Sequence, residues 1–207
     1  MPKIVDPEER RRAIVEAVFV VVARDGLARA SLRSIAAEAR LAIGSVRHYC
    51  GSQQEIRELA VEALSTGFED RFRAHLADLP AVQAGALPRR ALAQRALEEL
   101  LPLDERRRSE MAVSLEFTVA ARTDPSVGPQ VARLRRGMVM VIARILAGLE
   151  QAQALRDGVQ VEVEIDRLAA LLDGLALRGL DPEELSPQRA RDVLVRHLDD
   201  ILEPTSP

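Results

Sequence analysis

Hydrophobic positions along this chain recur three and four residues apart almost throughout, the spacing of one face of an α-helix. Ile14, Ala17, Val18, Val21 and Val22 form the first such face. The helix that carries them opens on Asp6, Pro7, Glu8 and Glu9: a polar cap, a proline at the first helical position and acids beside the positive end of the dipole. Asp25 and Gly26 close it. A short second helix starts at Ser31, a good N-cap, and turns Ile35, Ala36 and Ala39 inward. Leu41 plugs the turn that follows, and a third helix begins near Ala42 with Val46 facing Ile35. Ser52 and Glu55 stand at capping-box spacing, and the helix they open carries Ile56, Leu59, Ala60, Ala63 and Leu64, then runs through Phe68 and Phe72 toward Leu76.

The remainder predicts helices only. One spans 87–101 after a Pro- and Gly-rich break; Asp104 caps another that runs to Arg122. A turn at 124–129 precedes a helix over 131–152, a further helix covers about 163–180, and Ser186-Pro187 opens the last, which ends at Leu202. Residues 159–165 alternate as a strand would, but over so short a stretch they read as a loop and a helix start. Residues 204–207 read as a frayed tail. The fold class is all-α, with a small three-helix region ahead of a larger helical bundle.

Composition and charge then narrow the function. At 207 residues, 47% hydrophobic and 29% charged, the chain suits a small domain joined to one of typical size. Its net charge of −3 at first argues against a nucleic-acid partner, but residues 1–50 hold nine Lys and Arg against six Asp and Glu, while the rest holds 20 against 26. A basic head on an acidic body suits DNA binding. No apolar run approaches the ~18 residues of a membrane span, and the start lacks a signal-peptide pattern, so a cytoplasmic protein is expected. Three histidines on separate helices, one cysteine, no nucleophile elbow and no phosphate-binding glycine loop leave no catalytic, metal or cofactor site to propose. Cys50 reads as a small apolar filler.

The stretch 31–49 carries the most specific signal. Around the buried Val46 stand Gly44, Ser45, Arg47, His48 and Tyr49, with Ala42 and Ile43 at the helix start, all within reach of DNA. With the helices on either side, this Gly-Ser-Val-Arg-His-Tyr string resembles the DNA-binding domain of the TetR family of one-component transcriptional regulators. It departs from the family pattern where Arg47 replaces an aromatic, Cys50 a phenylalanine and Gln53 a lysine. Gly44 lets backbone approach a base edge or phosphate closely. Arg47 can fork onto guanine or hold a phosphate, whereas Ser31, Arg33, Ser45, His48 and Tyr49 are placed as phosphate clamps; Tyr49 can alternatively pack beneath the helix. Arg10 to Arg12 are either a solvated face or further phosphate contacts.

The resemblance implies a helix-turn-helix DNA-binding domain over 1–51 and an effector-binding and dimerisation domain over 52–207. The apolar surface of 168–177 is wider than one core stripe, which makes Leu168, Leu172, Leu175, Ala176 and the close-packing Gly179 candidates for a dimer seam, matched by Leu194, Leu198 and Ile201. A two-fold dimer would set two reading heads about 34–36 Å apart on a palindromic operator. The Asp-Gly-Leu-Ala-Leu-Arg-Gly-Leu-Asp run further resembles the BetI-like subgroup. For an effector pocket, Ser114, Thr118 and Arg122 share a stripe flanked by Met111 and Leu115, with Phe68, Phe72 and Phe117 and with Met138 and Val141 nearby; an ordinary core with a polar edge would read the same way. Asp173, a carboxylate in an apolar run, needs either a structural partner such as His197 or an arginine, or a ligand. With 2% aromatic residues and no Trp, a cage for a quaternary ammonium is poorly supported. The expected function is that of a homodimeric repressor released by a lipophilic small molecule, against the alternative of a constitutive DNA-binding protein or an activator.

Overall fold

The computed structural model describes residues 6–204, and among these there is no strand. Helix α1 (Pro7–Asp25) starts on Asp6, whose carboxylate accepts the Glu8 N–H at 3.0 Å, and ends at Gly26, where a φ of 87° favours glycine. Helix α2 (Leu32–Ala39) is opened by a reciprocal capping box of Ser31 and Ser34. Arg40 then takes a left-handed conformation (φ 55°) that sends the chain sharply into α3 (Ile43–Arg47). Helix α4 (Gln53–Leu76) begins at the predicted box: the Ser52 N–H donates to Glu55 Oε2 at 2.8 Å and the Glu55 N–H to Ser52 Oγ at 3.2 Å. These bonds, the Ser52 hydroxyl first, hold the Glu55 carboxyl below its usual range. Its contribution is therefore complete above the ordinary glutamate value and lost as pH falls through the lowered one. Acidification should loosen the first turn of α4 before its middle, which amide exchange of residues 55–58 against 60–64 would show.

Beyond α4 lie α5 (Leu79–Gln83), a short helix that the hydrophobic pattern does not announce, then α6 (Arg89–Glu98) and α7 (Glu105–Ala120). A 3₁₀ turn, Pro125–Val127, leads into α8 (Gly128–Gln151), followed by α9 (Val161–Arg178) and α10 (Pro187–Ile201). Asp104 and Ser186 cap α7 and α10, accepting the Arg107 N–H at 2.8 Å and the Arg189 N–H at 3.2 Å. The alternating 159–165 segment is a loop and helix start, as its length predicts. Residues 205–207 of the expected tail lie outside the described part.

The chain condenses into two compact units: the described parts of Met1–Gly67 with Ala112–Leu134, and of Phe68–Met111 with Arg135–Pro207. These bounds differ from a division at 51/52. In the first unit, Ile14, Val18, Phe19, Ile35 and Val46 share a core with Ile56, Leu59 and Ala60 of α4 and with Val113, Phe117 and Val127. One helix of 19 residues and two of eight and five have too little apolar surface of their own, and the added segments supply it. Polar ties reinforce the same unit. The Glu116 carboxylate accepts the buried Leu27 N–H at 2.6 Å, Arg57 spans Asp124 at 2.8 Å and Ser126 at 2.9 Å, and Arg11 pairs with Glu62. Arg11 is thus bound to α4, while Arg12 is exposed.

The second unit is centred on Leu97, Leu101, Ile142, Leu146, Leu168, Leu172, Leu194 and Leu198, all essentially without solvent contact. Its end is pinned by an antiparallel bridge between Leu155 and Leu202 and by Arg156, which donates to the Leu202 carbonyl at 2.8 Å and the Asp199 carbonyl at 3.0 Å. Helices α4, α7 and α8 each contribute residues to both units.

Candidate DNA-reading surface and effector cavity

Helices α2 and α3 form a helix-turn-helix whose inner side is fixed and whose outer side is free. Val46 is fully buried, Cys50 likewise, and Leu41 and Tyr49 are half-buried against the same core. Burying a valine contributes about 1.5–3 kcal/mol, enough to hold a five-residue helix that would not form alone. Ala42, Ile43, Gly44, Arg47 and His48 are exposed, Ser45 is half-exposed, and Ile43 shows 42% of its surface. Tyr49 divides its role: the ring packs inward, the hydroxyl reaches 3.5 Å from the Pro7 carbonyl, and the ring edge meets His48. Ser31 and Arg33 stand at the start of α2, with the Ser31 hydroxyl engaged by Ser34. A Cβ built on Gly44 would meet nothing within 4 Å, and its φ is not left-handed, so the fold does not require glycine there. Gln53, in the position of the family's lysine, donates to the Ala30 carbonyl at 3.0 Å and ties α4 to the loop before α2.

The expected effector residues do not share one unit. Ser114, Leu115, Phe117, Thr118 and Arg122 belong to the first and Phe68, Phe72, Met111, Met138, Val141 and Asp173 to the second. Phe117 is a fully buried core residue, Leu115 and Arg122 are exposed, and Thr118 spends its hydroxyl on the Ser114 carbonyl of its own helix at 3.1 Å. Phe68 and Phe72 stack at 5.8 Å between ring centres. Asp173 is exposed on α9 and makes no ion pair among the described residues; desolvation raises its carboxyl above the usual range against the pull of Arg135. Its anticipated partner His197 lies 2.7 Å from Glu164 instead. Glu164, 2% exposed and also paired with Arg167 at 2.9 Å, is the buried carboxylate that the pattern missed. It sits in the alternating stretch where no face was assigned.

Within the second unit a cavity of about 230 Å³ opens between the end of α4, α5, α6 and α8. Of the expected pocket residues only Phe72 lines it; Leu76, Leu79, Val82, Leu92 and Ile145 are among its apolar lining, with His75, Arg89 and Arg144 as its polar groups. The repeat of Phe68, Phe72 and Leu76 pointed along α4 toward this place, but α5 and α6 had no sequence signal linking them to it.

The expected dimer seam also lands differently. Leu168, Leu172, Leu175, Ala176, Leu194, Leu198 and Ile201 are buried within the single chain. Gly179 is close-packed, but against Pro102 of the same unit, whose Cγ would lie 2.6 Å from an added Cβ. Both stripes of α9 are apolar, and the bulkier one faces inward. The outer stripe is Val163, Ala170, Gly174 and Leu177, with Val163 50% and Leu177 57% exposed.

A helix-turn-helix with an exposed reading helix, followed by a helical unit that holds a cavity, defines the class of helix-turn-helix transcriptional regulators. Residues 88–203 match the family model of the BetI-type transcriptional repressor C-terminal domain. The chain is 32% identical to the HTH-type transcriptional regulator PksA of Bacillus subtilis over 97% of its own length and 94% of that protein's. It is 28% identical to the HTH-type transcriptional regulator BetI of Vibrio campbellii, over 96% and 95%. Its fold is similar to that of a transcriptional regulator from Saccharomonospora viridis solved in complex with choline, with a TM-score of 0.78 over 95% of this chain and 100% of that one at 23% identity. This chain belongs to the TetR family and is a transcriptional regulator of the BetI type, not an enzyme. No helix among the described residues is long and apolar enough to cross a membrane.

Proposed function

We propose that the protein is a homodimeric repressor that grips a palindromic operator through α2 and α3 and lets go when a lipophilic small molecule enters its second unit. The observation that carries this is the exposed row from Ala42 to His48 on a helix anchored by the buried Val46, a rigid mount for side chains that touch little else in the chain. In this reading Arg47 contacts base or phosphate, Gly44 allows close approach, Ser45 and His48 clamp the backbone beside Ser31 and Arg33, and Ala42, Ile43 and Tyr49 shape the contact. The residues 1–51 then act as the DNA-binding part and 52–207 as the sensor and dimer part. The choline-bound neighbour supports a ligand-responsive second unit, though the cavity here has no carboxylate and no aromatic cage for such a cation. Helices α4, α7 and α8, shared by both units, are the route for coupling, and the ~1–3 kcal/mol typical of allostery would change operator affinity roughly 5–150-fold. Self-association would use the outer α9 stripe.

Fluorescence anisotropy with the duplex upstream of the protein's own coding region tests this directly. Tight, salt-sensitive binding at two chains per site is expected, and absence of binding in low salt would refute it. Arg47→Ala should weaken the operator complex by about 1–3 kcal/mol. An equal loss on random duplex would reduce Arg47 to a phosphate contact. Gly44→Ala should stabilise the free protein slightly, by about 0.5–1 kcal/mol from helix propensity, while weakening operator binding. Unchanged affinity would mean that no DNA atom comes close to that position.

A further inference from the structure

The geometry points to a specific ligand chemistry for the α4–α5–α6–α8 cavity: an aliphatic carboxylate of short to medium chain length, its tail on the apolar wall and its head between Arg89 and Arg144. As an effector site this rests on the sensing role proposed above; as a binding site it does not. The tail is dictated by Leu76, Leu79, Val82, Leu92 and Ile145, the aliphatic side chains that face the cavity from four helices. At about 230 Å³ the space is smaller than the ~300–1,000 Å³ of drug-sized ligand sites, which suits a short chain and excludes bulky fused rings.

The head is dictated by what lines the mouth. The only ionisable lining residues are His75, Arg89 and Arg144, and there is no carboxylate among them. His75 is already committed, with Nε2 3.0 Å from Glu99, and Glu99 is in turn held by Arg71 at 2.8 Å and Arg107 at 3.4 Å. Glu99, the acid beside His75, is therefore already engaged within the protein. The guanidinium groups of Arg89 and Arg144 make no hydrogen bond or ion pair to any other described residue, although those of most arginines in this unit do. Two unspent guanidinium groups beside an apolar cavity repel a quaternary ammonium and attract a carboxylate, to which each can offer paired N–H donors. A neutral alcohol with the same tail gains the wall and loses the head.

Calorimetric titration of the full-length protein with octanoate, octan-1-ol and octyltrimethylammonium, all below their aggregation concentrations, separates these contributions. Octanoate should bind at least about tenfold more tightly than either of the others. The double variant Arg89→Gln/Arg144→Gln should bring octanoate down to the level of octan-1-ol and leave octan-1-ol itself within about twofold. Both side chains are exposed, so the variant should keep the wild-type melting temperature. Gly148→Trp, at an exposed lining position where a Cβ meets nothing, should fill the space and abolish octanoate and octan-1-ol binding alike. Equal or tighter binding of octyltrimethylammonium, indifference of octanoate to the double variant, or indifference of both ligands to Gly148→Trp would each overturn the assignment. If octanoate binds as described yet leaves operator affinity unchanged, the site stands and the effector-release reading falls.

Discussion

Leu198→Ala is expected to lower the unfolding free energy by about 2–5 kcal/mol at every protein concentration. Its side chain has no solvent contact within the single chain and packs in the core that also holds Leu168, Leu172 and Leu194. Truncation removes methyl groups from a close-packed interior and leaves a cavity that neighbours on α6, α8 and α9 can only partly fill. Leu177→Glu should behave in the opposite way. Leu177 is 57% exposed, so the monomer should lose no more than about 0.5 kcal/mol, while a charge on the outer α9 stripe should weaken self-association at least tenfold. Chemical denaturation paired with sedimentation over a range of concentrations distinguishes the two effects. If Leu198→Ala instead dissociates the protein and spares the monomer's stability, the inner stripe is the seam after all and the outer one is not.

The second large effect concerns Arg71. Its guanidinium binds Glu110 through two bonds, at 3.0 and 2.6 Å, and Glu99 through a third at 2.8 Å. Glu110 is 9% exposed, so removing the arginine leaves carboxylates with little access to water. The carboxylates outweigh the desolvation that opposes them and keep the Arg71 pKa above its ordinary value. Breaking a fully buried pair costs about 3–5 kcal/mol. Here Arg71 retains 29% of its side-chain exposure, and Arg106, Arg107 and His75 still face the acids, so about 2–3 kcal/mol is expected for Arg71→Ala. For a chain of this length that corresponds to a fall in Tm of roughly 5–10 °C. Arg71→Lys keeps the charge but not the fork, and should recover less than half of the loss. A melting temperature within 1 °C of wild type for Arg71→Ala would show, at roughly 2–4 °C per kcal/mol, that the network is not a net source of stability.

Local chemistry wrote the helix ends legibly. The caps at Asp6, Ser31, Ser52, Asp104 and Ser186 and the stop at Gly26 were readable because each depends on residues within a few positions of one another. The helix-turn-helix was readable for a similar reason: one buried valine at Val46, facing Ile35, settles which side of a five-residue helix is free. Long-range pairs were not. Nothing near Glu116 indicates that it will receive the Leu27 N–H, and nothing near Arg71 names Glu110.

The amino-acid sequence by itself determined that this protein is all-helical, where most of its helices begin and end, and which side of the helix-turn-helix is left exposed, because capping and periodicity are short-range physics. Only the tertiary structure decided which apolar stripe of α9 became core, which helices enclose the cavity and which arginines were left unspent beside it. Those outcomes turn on side-chain volume and partner geometry between segments distant in the chain, and a one-dimensional pattern of apolar and polar positions does not contain them.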